Sequence, residues 1–302
     1  KRRILNIAVF RKETLYQKMR ALIIYLVISA VFIGCTPILS IDASTQSVYH
    51  FSDTDKNISL LDISETFGTY DGSFVLYDNN LDSWKIYDLE EATKRIPPES
   101  TYKIYDALLG LESGIITPEH SSMTWNGDAF PFPSWEADQD LNSAMQNSVN
   151  WYFQAIDSQL GINRVQEFLN KIEYGNQTTS SNLDLYWSDF SLKISPLEQV
   201  TLLKKFNTNE FHLNSQNVFS VKNAIKIAST PNGNFYGKTG TGRVNGQDIN
   251  GWFIGYVETS DNSYYFATNI QSDSNATGKK AFEITSDILK KLHICLLYTS
   301  DA

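Results

Sequence analysis

Cysteine and histidine are scarce in this sequence of 302 residues, which contains two cysteines and four histidines. Cys35 and Cys295 alone cannot build a disulfide-rich scaffold or a zinc site made of cysteines. The histidines are scattered, and none has the His-x-x-x-His spacing of a helical metal site. The sequence therefore predicts no metal centre.

Basic residues are also in deficit, with 25 Lys and Arg against 34 Asp and Glu and a net charge of −9. Seven of the basic residues fall within the first 20 positions, where Glu13 is the only acidic residue. The rest of the chain is strongly acidic, whereas a nucleic-acid-binding protein needs clustered Lys and Arg to contact phosphates. We expect no nucleic-acid partner.

A long apolar run lies near the start of the sequence. Residues 21–41 are 21 consecutive uncharged positions, enough to cross a hydrocarbon core of about 30 Å as a helix. Basic residues precede this run and the first one after it is Lys56, so the positive-inside rule places residues 1–20 in the cytoplasm. The alternative is a cleaved signal peptide, although its apolar region is normally only about 7–15 residues long.

Composition divides the sequence into five segments. Residues 1–20 are predicted to be a cytoplasmic basic segment that ends a truncated upstream region, residues 21–41 a transmembrane helix and residues 42–68 a polar extracellular linker. Residues 69–292 are predicted to form a globular domain. Residues 293–302 are a tail that is either a natural C-terminus or non-native.

The globular segment begins and ends with strand-like sequence and has a helical middle. Strands are predicted at 74–77, 84–87, 234–238, 251–258 and 263–270, and helices at 101–112, 141–160, 163–172, 196–206 and 279–292. This order indicates an α/β body whose sheet is completed by the C-terminal third of the chain.

Three short motifs contain residues that can act in catalysis or ligand binding: Ser100-x-x-Lys103, Ser148-Val149-Asn150 and Lys238-Thr239-Gly240. In the first, a spacing of three on a helix places the hydroxyl and the amine on one face. Alone it carries little weight, because average composition gives about one such match by chance in a chain of this length. Together and in this order, the three motifs are typical of penicillin-recognising serine enzymes.

With these motifs in place, residues 70–292 resemble the class D serine β-lactamases and, within that fold, the sensor domains of the BlaR/MecR β-lactam receptors. Further support comes from EYGN (173–176), SLKISPLEQV (191–200), YGKTGTG (236–242) and GWFIGYVET (251–259). The resemblance implies the α/β (α+β) fold of serine β-lactamases and penicillin-binding proteins. In that fold an antiparallel sheet is flanked by helices and joined to a helical subdomain, here preceded by one transmembrane helix.

The resemblance also implies roles for individual residues. Ser100 is expected to be the nucleophile that a β-lactam acylates, and Lys103 its base, which can carry a carboxyl group derived from CO₂. Ser148 is expected to relay a proton to the lactam nitrogen. No other cofactor is implied.

Six residues are expected to bind the substrate: Asn150, Trp187, Lys238, Thr239, Gly240 and Thr241. Lys238 and the two threonines are expected to face the β-lactam carboxylate, while the backbone N–H groups of Ser100 and Thr241 form an oxyanion hole. The resemblance implies that Trp187 is an indole donor near the modified Lys103; the alternative is an ordinary core tryptophan.

Asn150 has two open interpretations, since an amide offers both a donor and an acceptor. In the first, its carbonyl oxygen accepts a hydrogen bond from protonated Lys103 and so discourages carboxylation of the lysine. In the second, its amide binds the side-chain amide of the ligand. The first interpretation predicts a long-lived acyl-enzyme.

These features predict a membrane-bound β-lactam receptor without efficient turnover, in a bacterial and Gram-positive cell membrane, with its sensor domain outside. The implied partners are β-lactam antibiotics, the membrane and an upstream zinc metalloprotease region, because this sequence lacks the His-Glu-x-x-His motif that the family carries there. A membrane-anchored class D β-lactamase and a cell-wall transpeptidase are the alternatives. Asn150 favours the receptor, since class D hydrolases usually have an apolar residue at that position.

Overall fold

The structure, a computed structural model, describes residues 57–294. The predicted cytoplasmic segment, the predicted transmembrane helix and the tail from residue 295 lie outside these residues. Within residues 57–294, no helix is both long and apolar enough to cross a membrane.

A mixed sheet of seven strands forms the centre of the described part of the chain, in the order β1-β3-β2-β7-β6-β5-β4. The strands are β1 (Ile58–Leu60), β2 (Asp71–Asp78), β3 (Ser83–Tyr87), β4 (Lys226–Thr230), β5 (Gly233–Val244), β6 (Gln247–Glu258) and β7 (Ser263–Gln271). β1 pairs with β3 in parallel, while the other neighbouring strands are antiparallel. The predicted antiparallel sheet is therefore mixed, because a strand from the predicted linker adds to its edge.

Helices surround this sheet. They are α1 (Ser64–Phe67), α2 (Leu89–Thr93), α3 (Lys103–Glu112), α4 (Leu141–Gln146), α5 (Asn150–Leu160), α6 (Ile162–Ile172), α7 (Pro196–Asn207), α8 (Ser215–Ala224) and α9 (Gly278–Lys291), with 3₁₀ helices at Glu99–Tyr102 and Pro133–Trp135. The prediction of one helix over 141–160 is wrong: α4 and α5 are separated at Ser148, whose φ of 55° is left-handed and cannot continue an α-helix.

The alternation of side chains along the strands buries both faces of the sheet. On β2, Phe74 and Leu76 belong to one apolar cluster, which also contains Ile284 of α9. Their neighbours Val75 and Tyr77 belong to a second cluster, formed with the helices on the opposite face. Successive side chains of a strand point to opposite faces, so each face needs its own helical cover.

The folded unit extends N-terminal to the predicted boundary at residue 69. Phe67 of α1 is buried, and its ring centroid lies 4.5 Å from that of Tyr87. Lys291 Nζ donates a hydrogen bond of 2.7 Å to Thr66 Oγ1, which ties α1 to the end of α9. Composition alone does not reveal these contacts, because α1 is only four residues long and Phe67 is its one buried residue.

Candidate active site

A sharp backbone bend brings Ser100 to the start of a helix. Glu99 has a left-handed φ of 52°, and the 3₁₀ turn Glu99–Tyr102 leads directly into α3. Thr101 stabilises this turn: its Oγ1 donates to Pro98 O at 2.6 Å and accepts from Gln199 Nε2 of α7 at 2.8 Å. The predicted position of Ser100 at a helix start after the two prolines is confirmed.

Lys103 lies one turn beyond Ser100 and is almost fully buried, with 1% of its surface exposed. Its Nζ donates to Ser100 Oγ at 2.8 Å and to Asn150 Oδ1 at 2.7 Å. Burial disfavours the ammonium and lowers the pKa of Lys103 to about 7, against the opposing effect of nearby carboxyl groups. The predicted contacts of Lys103 with both residues are therefore present, and this amine can take up a proton near neutral pH.

Aromatic rings enclose the Lys103 amine. The ring centroids of Phe153 and Trp187 lie 5.7 and 5.6 Å from Lys103 Nζ. Trp187 is buried, and its carbonyl oxygen accepts from Glu99 N at 3.0 Å. Trp187 is thus a core residue whose ring also lies beside the lysine, and its expected role as an indole donor stays a prediction.

The second serine sits where α4 and α5 are interrupted. Trp135 Nε1 donates to Asn147 O at 2.9 Å and holds this connection. Lys238 Nζ of β5 donates to Ser148 Oγ at 2.9 Å and to Thr239 O at 3.0 Å. Burial, and then the charge of Lys103, lower the pKa of Lys238 well below its usual value. Ser148 is therefore placed between a buried amine and the opening of the site.

β5 approaches the nucleophile so closely that a side chain at Gly240 or Gly242 would crowd the turn that carries Ser100. A Cβ on Gly240 would lie 3.1 Å from Pro98 O and 3.3 Å from Ser100 N. A Cβ on Gly242 would lie 2.3 Å from Glu99 Oε1. On the same strand, Thr241 Oγ1 accepts from Gly278 N at 2.9 Å. The Lys-Thr-Gly motif is thus confirmed on a strand that passes directly beside Ser100.

These elements enclose a cleft of about 330 Å³. The predicted residues that line it are Ser100, Ser148, Asn150, Thr239, Gly240 and Thr241, while Lys103, Trp187 and Lys238 lie outside its lining. Sequence reasoning missed Phe132, Ser134, Trp135, Asn147, Arg243 and Asp248 on the wall. Arg243 Nε donates to Asp248 Oδ1 at 2.7 Å across the β5–β6 hairpin. Nothing in their local spacing distinguishes these residues from loop positions.

Glu99 is a further residue of the site that the sequence analysis did not single out. Its side chain is 5% exposed and accepts a hydrogen bond of 3.1 Å from Asn250 Nδ2. Burial raises the pKa of Glu99 to about 8, although the Asn250 hydrogen bond and the charge of Lys103 oppose the shift. The carboxyl group next to the nucleophile is therefore mostly protonated at neutral pH.

The fold and the arrangement of Ser100, Lys103, Ser148 and Lys238 define a domain of the penicillin-binding class. The family model of the penicillin-binding protein transpeptidase domain matches residues 69–290, and the chain belongs to this family. The resemblance to the BlaR/MecR sensor domains is also confirmed by the relatives that follow.

The similar proteins include a regulatory protein and a solved penicillin-receptor domain. The regulatory protein BlaR1 of Bacillus licheniformis is 44% identical over 294 residues, which cover 96% of this chain and 48% of the relative. The solved C-terminal domain of the Bacillus licheniformis BlaR penicillin-receptor superposes with a TM-score of 0.77 at 46% identity, covering 79% of this chain and 98% of that domain. The chain thus spans about half the length of this regulatory protein.

A hydrolase is similar as well. The solved class D β-lactamase of Bacillus subtilis superposes with a TM-score of 0.73 at 36% identity, covering 78% of this chain and 96% of the enzyme. The expected α/β fold of the class D β-lactamases is therefore confirmed for the described residues, and the scaffold alone does not separate receptor from hydrolase.

The protonated state of Glu99 predicts a pH-dependent stability. The folded protein retains a proton on Glu99 that the unfolded chain loses above about pH 4.3, so stability falls as the pH rises towards 8 and then levels off. Glu99→Gln removes the ionisation and keeps a polar group beside Asn250. We expect the melting temperature of Glu99→Gln, relative to the unchanged protein, to increase between pH 5 and pH 8.

Glu119→Gln, at an exposed glutamate, is the matched control and should follow the unchanged protein at both pH values. The same pH dependence in Glu99→Gln and the unchanged protein would contradict a buried, protonated Glu99.

Proposed function

We propose that this chain carries the sensor of a membrane-bound β-lactam receptor, which penicillins and cephalosporins acylate at Ser100 to form a long-lived acyl-enzyme that signals across the membrane and induces antibiotic resistance. The observation that carries the proposal is the buried Lys103 amine, hydrogen-bonded to Ser100 Oγ on one side and to Asn150 Oδ1 on the other. The contact with Ser100 supplies a base for acylation, and the contact with Asn150 opposes hydrolysis of the acyl-enzyme.

Acylation follows from the geometry around Ser100. Its Oγ attacks the lactam carbonyl carbon while its proton passes to Lys103, whose pKa near 7 allows a neutral amine at physiological pH. The carbon–nitrogen bond of the ring then breaks, and the nitrogen takes a proton from Ser148 Oγ, which Lys238 replenishes. The Ser100 hydroxyl and Lys238 each lose one proton, while Lys103 and the ring nitrogen each gain one, so the step is balanced.

Substrate binding is assigned to β5. Thr239 and Thr241 line the cleft and offer hydrogen bonds to the β-lactam carboxylate, while Lys238, behind this wall, offers positive charge in its protonated form. The backbone N–H groups of Ser100 and Thr241 are assigned to the oxyanion, which fits the close passage of β5 along the nucleophile turn.

The acyl-enzyme lasts, in this proposal, because Lys103 does not become the base of hydrolysis. Carboxylation by CO₂ requires a neutral amine in an apolar pocket. Asn150 Oδ1 accepts from Lys103 Nζ at 2.7 Å, and a carbonyl acceptor favours the ammonium form over the carbamate. A bias of about 1.4 kcal/mol shifts this balance tenfold.

The membrane and an upstream metalloprotease region are the proposed partners. The uncharged run 21–41, flanked by basic residues on its N-terminal side, supports the membrane span with residues 1–20 in the cytoplasm. The curated BlaR1 relative is about twice as long as the matched region, which leaves room for a further domain.

Ser100→Ala should abolish covalent labelling. The unchanged protein is expected to take up one penicillin per chain, seen by mass spectrometry as a single adduct. Ser148→Ala keeps the nucleophile and should still form the adduct, more slowly, because it loses only the proton relay. An adduct on another serine in Ser100→Ala would contradict the assignment of the nucleophile.

The chromogenic cephalosporin nitrocefin separates receptor from hydrolase. A receptor consumes one equivalent in a burst and then stops, because the ester is not hydrolysed. Continuous colour development at a rate that scales with protein concentration would instead indicate the class D β-lactamase.

Asn150→Val tests why the ester persists. The substitution removes the hydrogen-bond acceptor of the Lys103 amine and makes the pocket around the amine apolar. Carboxylation of Lys103 and hydrolysis of the ester should therefore be favoured. With added bicarbonate, we expect the acyl half-life to shorten by about tenfold or more while Ser100 is still acylated, which a chase of labelled penicillin measures. If only acylation slows and the half-life is unchanged, Asn150 binds the ligand amide and the Lys103 explanation fails.

The proposed topology predicts which side of the membrane each end occupies. In a chain carrying Cys35→Ala and Cys295→Ala, a cysteine introduced by Ser44→Cys should react in intact cells with a membrane-impermeant thiol reagent. A cysteine introduced by Thr14→Cys should react only after the cells are opened. The reverse labelling would reject the topology.

A further inference from the structure

One pair of charged residues on the wall of the cleft has no part in the chemistry described above. Arg243 lies near the end of β5 and Asp248 near the start of β6, on either side of the hairpin turn. Of the described residues that line the cleft, these two are the only ones with charged side chains. They share this cleft with Ser100, so they lie where a ligand of Ser100 is bound.

The alternation of side chains along β5 explains why Arg243 faces the cleft. Thr239, Thr241 and Arg243 follow one another at intervals of two residues, and all three line the cleft. A register irregularity between Gly242 and Arg243 pairs Arg243 directly with Asp248 of β6. The strand therefore presents the Arg243 side chain on the same wall as the two threonines.

The ion pair uses only part of the Arg243 guanidinium. Nε donates to Asp248 Oδ1 at 2.7 Å, and Nη2 donates to Asp248 Oδ2 at 3.1 Å. A guanidinium has five N–H donors, and Asp248 is the only acceptor that this one contacts among residues 57–294, so three donors remain. The Arg243 side chain is 60% exposed, against 20% for Asp248. The accessible part of the pair is therefore the cation, which the less exposed carboxylate orients.

Another part of the cleft wall is aromatic. Phe132 is half exposed, and its ring centroid lies 5.3 Å from that of Trp135. Trp135 is held at two points, since its Nε1 donates to Asn147 O and its carbonyl oxygen accepts from Trp151 Nε1, both at 2.9 Å. A fixed aromatic surface suits an aryl group on a ligand. The cleft thus combines an apolar surface with a cation.

The proposed acylation chemistry fixes the direction in which a β-lactam lies along β5. Its ring nitrogen is assigned to Ser148 and Lys238, and its carbonyl oxygen to the N–H group of Thr241. The acylamino side chain is attached on the other side of that carbonyl, so it extends away from Lys238 and past Thr241. Two residues of a strand span about 7 Å. Arg243 therefore lies beside the side chain of the ligand rather than beside its ring carboxylate.

We propose that Arg243 determines specificity by binding a second anionic group, carried on the acylamino side chain of a β-lactam, while Asp248 orients its guanidinium. The inference rests on the proposed function and deepens it, since it names dianionic β-lactams as the class that this wall recognises. A side-chain carboxylate accepts charge-assisted hydrogen bonds from the remaining N–H groups. An ammonium group at the same place meets a like charge.

Three penicillins that differ at a single carbon of the side chain test the proposal. Benzylpenicillin carries hydrogen at this carbon, carbenicillin a carboxylate and ampicillin an ammonium group. Acylation of the full chain, purified in detergent, is followed by intact-mass spectrometry. The second-order rate constants are expressed relative to benzylpenicillin, so that effects on the ring and its carboxylate, which all three share, cancel.

Substitutions of Arg243 test its charge. Arg243→Gln removes the charge and keeps a polar side chain, and we expect the relative rate for carbenicillin to fall about fivefold, as for an exposed ion pair. The relative rate for ampicillin should stay the same or rise. Arg243→Lys keeps the charge and should retain most of the carbenicillin rate. Arg164→Gln, at an exposed position of α6 outside the cleft wall, is the matched control and should change neither ratio.

Asp248→Asn separates recognition of charge from support of the hairpin. The amide oxygen still accepts from Arg243, while the neutralising charge is lost. The relative rate for carbenicillin should therefore rise and that for ampicillin should fall, opposite to the changes in Arg243→Gln. These differences should shrink at about 1 M salt, where charges are screened within about 3 Å. Loss of a structural ion pair alone would change both variants in the same direction.

An equal loss for all three penicillins in Arg243→Gln would overturn the proposal, because it would place Arg243 at the ring carboxylate or in support of the hairpin. Unchanged ratios in that variant would overturn it as well. Absence of an adduct with benzylpenicillin in the unchanged protein would instead reject the proposed function. Binding of the same penicillins to Ser100→Ala, with and without Arg243→Gln, is measured by isothermal titration calorimetry. It requires no acylation, and the same fivefold change in the ratio of dissociation constants is expected.

Discussion

A single amine, Nζ of Lys103, is the constraint on which the site depends. It is buried among aromatic rings and still has two hydrogen-bond acceptors, Ser100 Oγ and Asn150 Oδ1. Taking an ammonium out of water is costly unless partners compensate, and the compensation here is partial, so the pKa of Lys103 falls to about 7. An amine balanced between two charge states can serve as a base, and small changes around it decide which state dominates.

The fold supplies this environment by bringing three separate chain segments to one point. The 3₁₀ turn and the start of α3 place Ser100 and Lys103 one turn apart. The break at Ser148 separates α4 from α5, and β5 closes the site from the other side. Each segment departs from regular geometry where it meets the others. Examples are the left-handed backbone at Glu99 and Ser148 and the glycine at position 240, where a side chain would crowd Ser100. Such departures are expected where function competes with local conformational preference.

The sequence predicted the parts of the site that depend on local spacing. Ser100 and Lys103 meet because a helix fixes the distance between positions three apart, and β5 was visible as a strand with its motif. The break at Ser148 was not predicted, since the apolar pattern continues from α4 into α5 and a single φ of 55° leaves no mark in it. Glu99 also escaped notice, because its burial beside Asn250 depends on a contact between residues 151 positions apart.

Receptors and hydrolases of this scaffold can therefore differ by charge rather than by shape. The chain superposes on a class D β-lactamase with a TM-score of 0.73, so the backbone offers both the same cleft. Changing an acyl lifetime by a factor of a thousand takes about 4 kcal/mol. Asn150 acts on the protonation equilibrium of Lys103, and a few effects of about 1.4 kcal/mol each on that equilibrium reach this scale. Under the proposed function, a signalling protein arises from a hydrolytic fold without rebuilding it, because only the charge state of one nitrogen has to change.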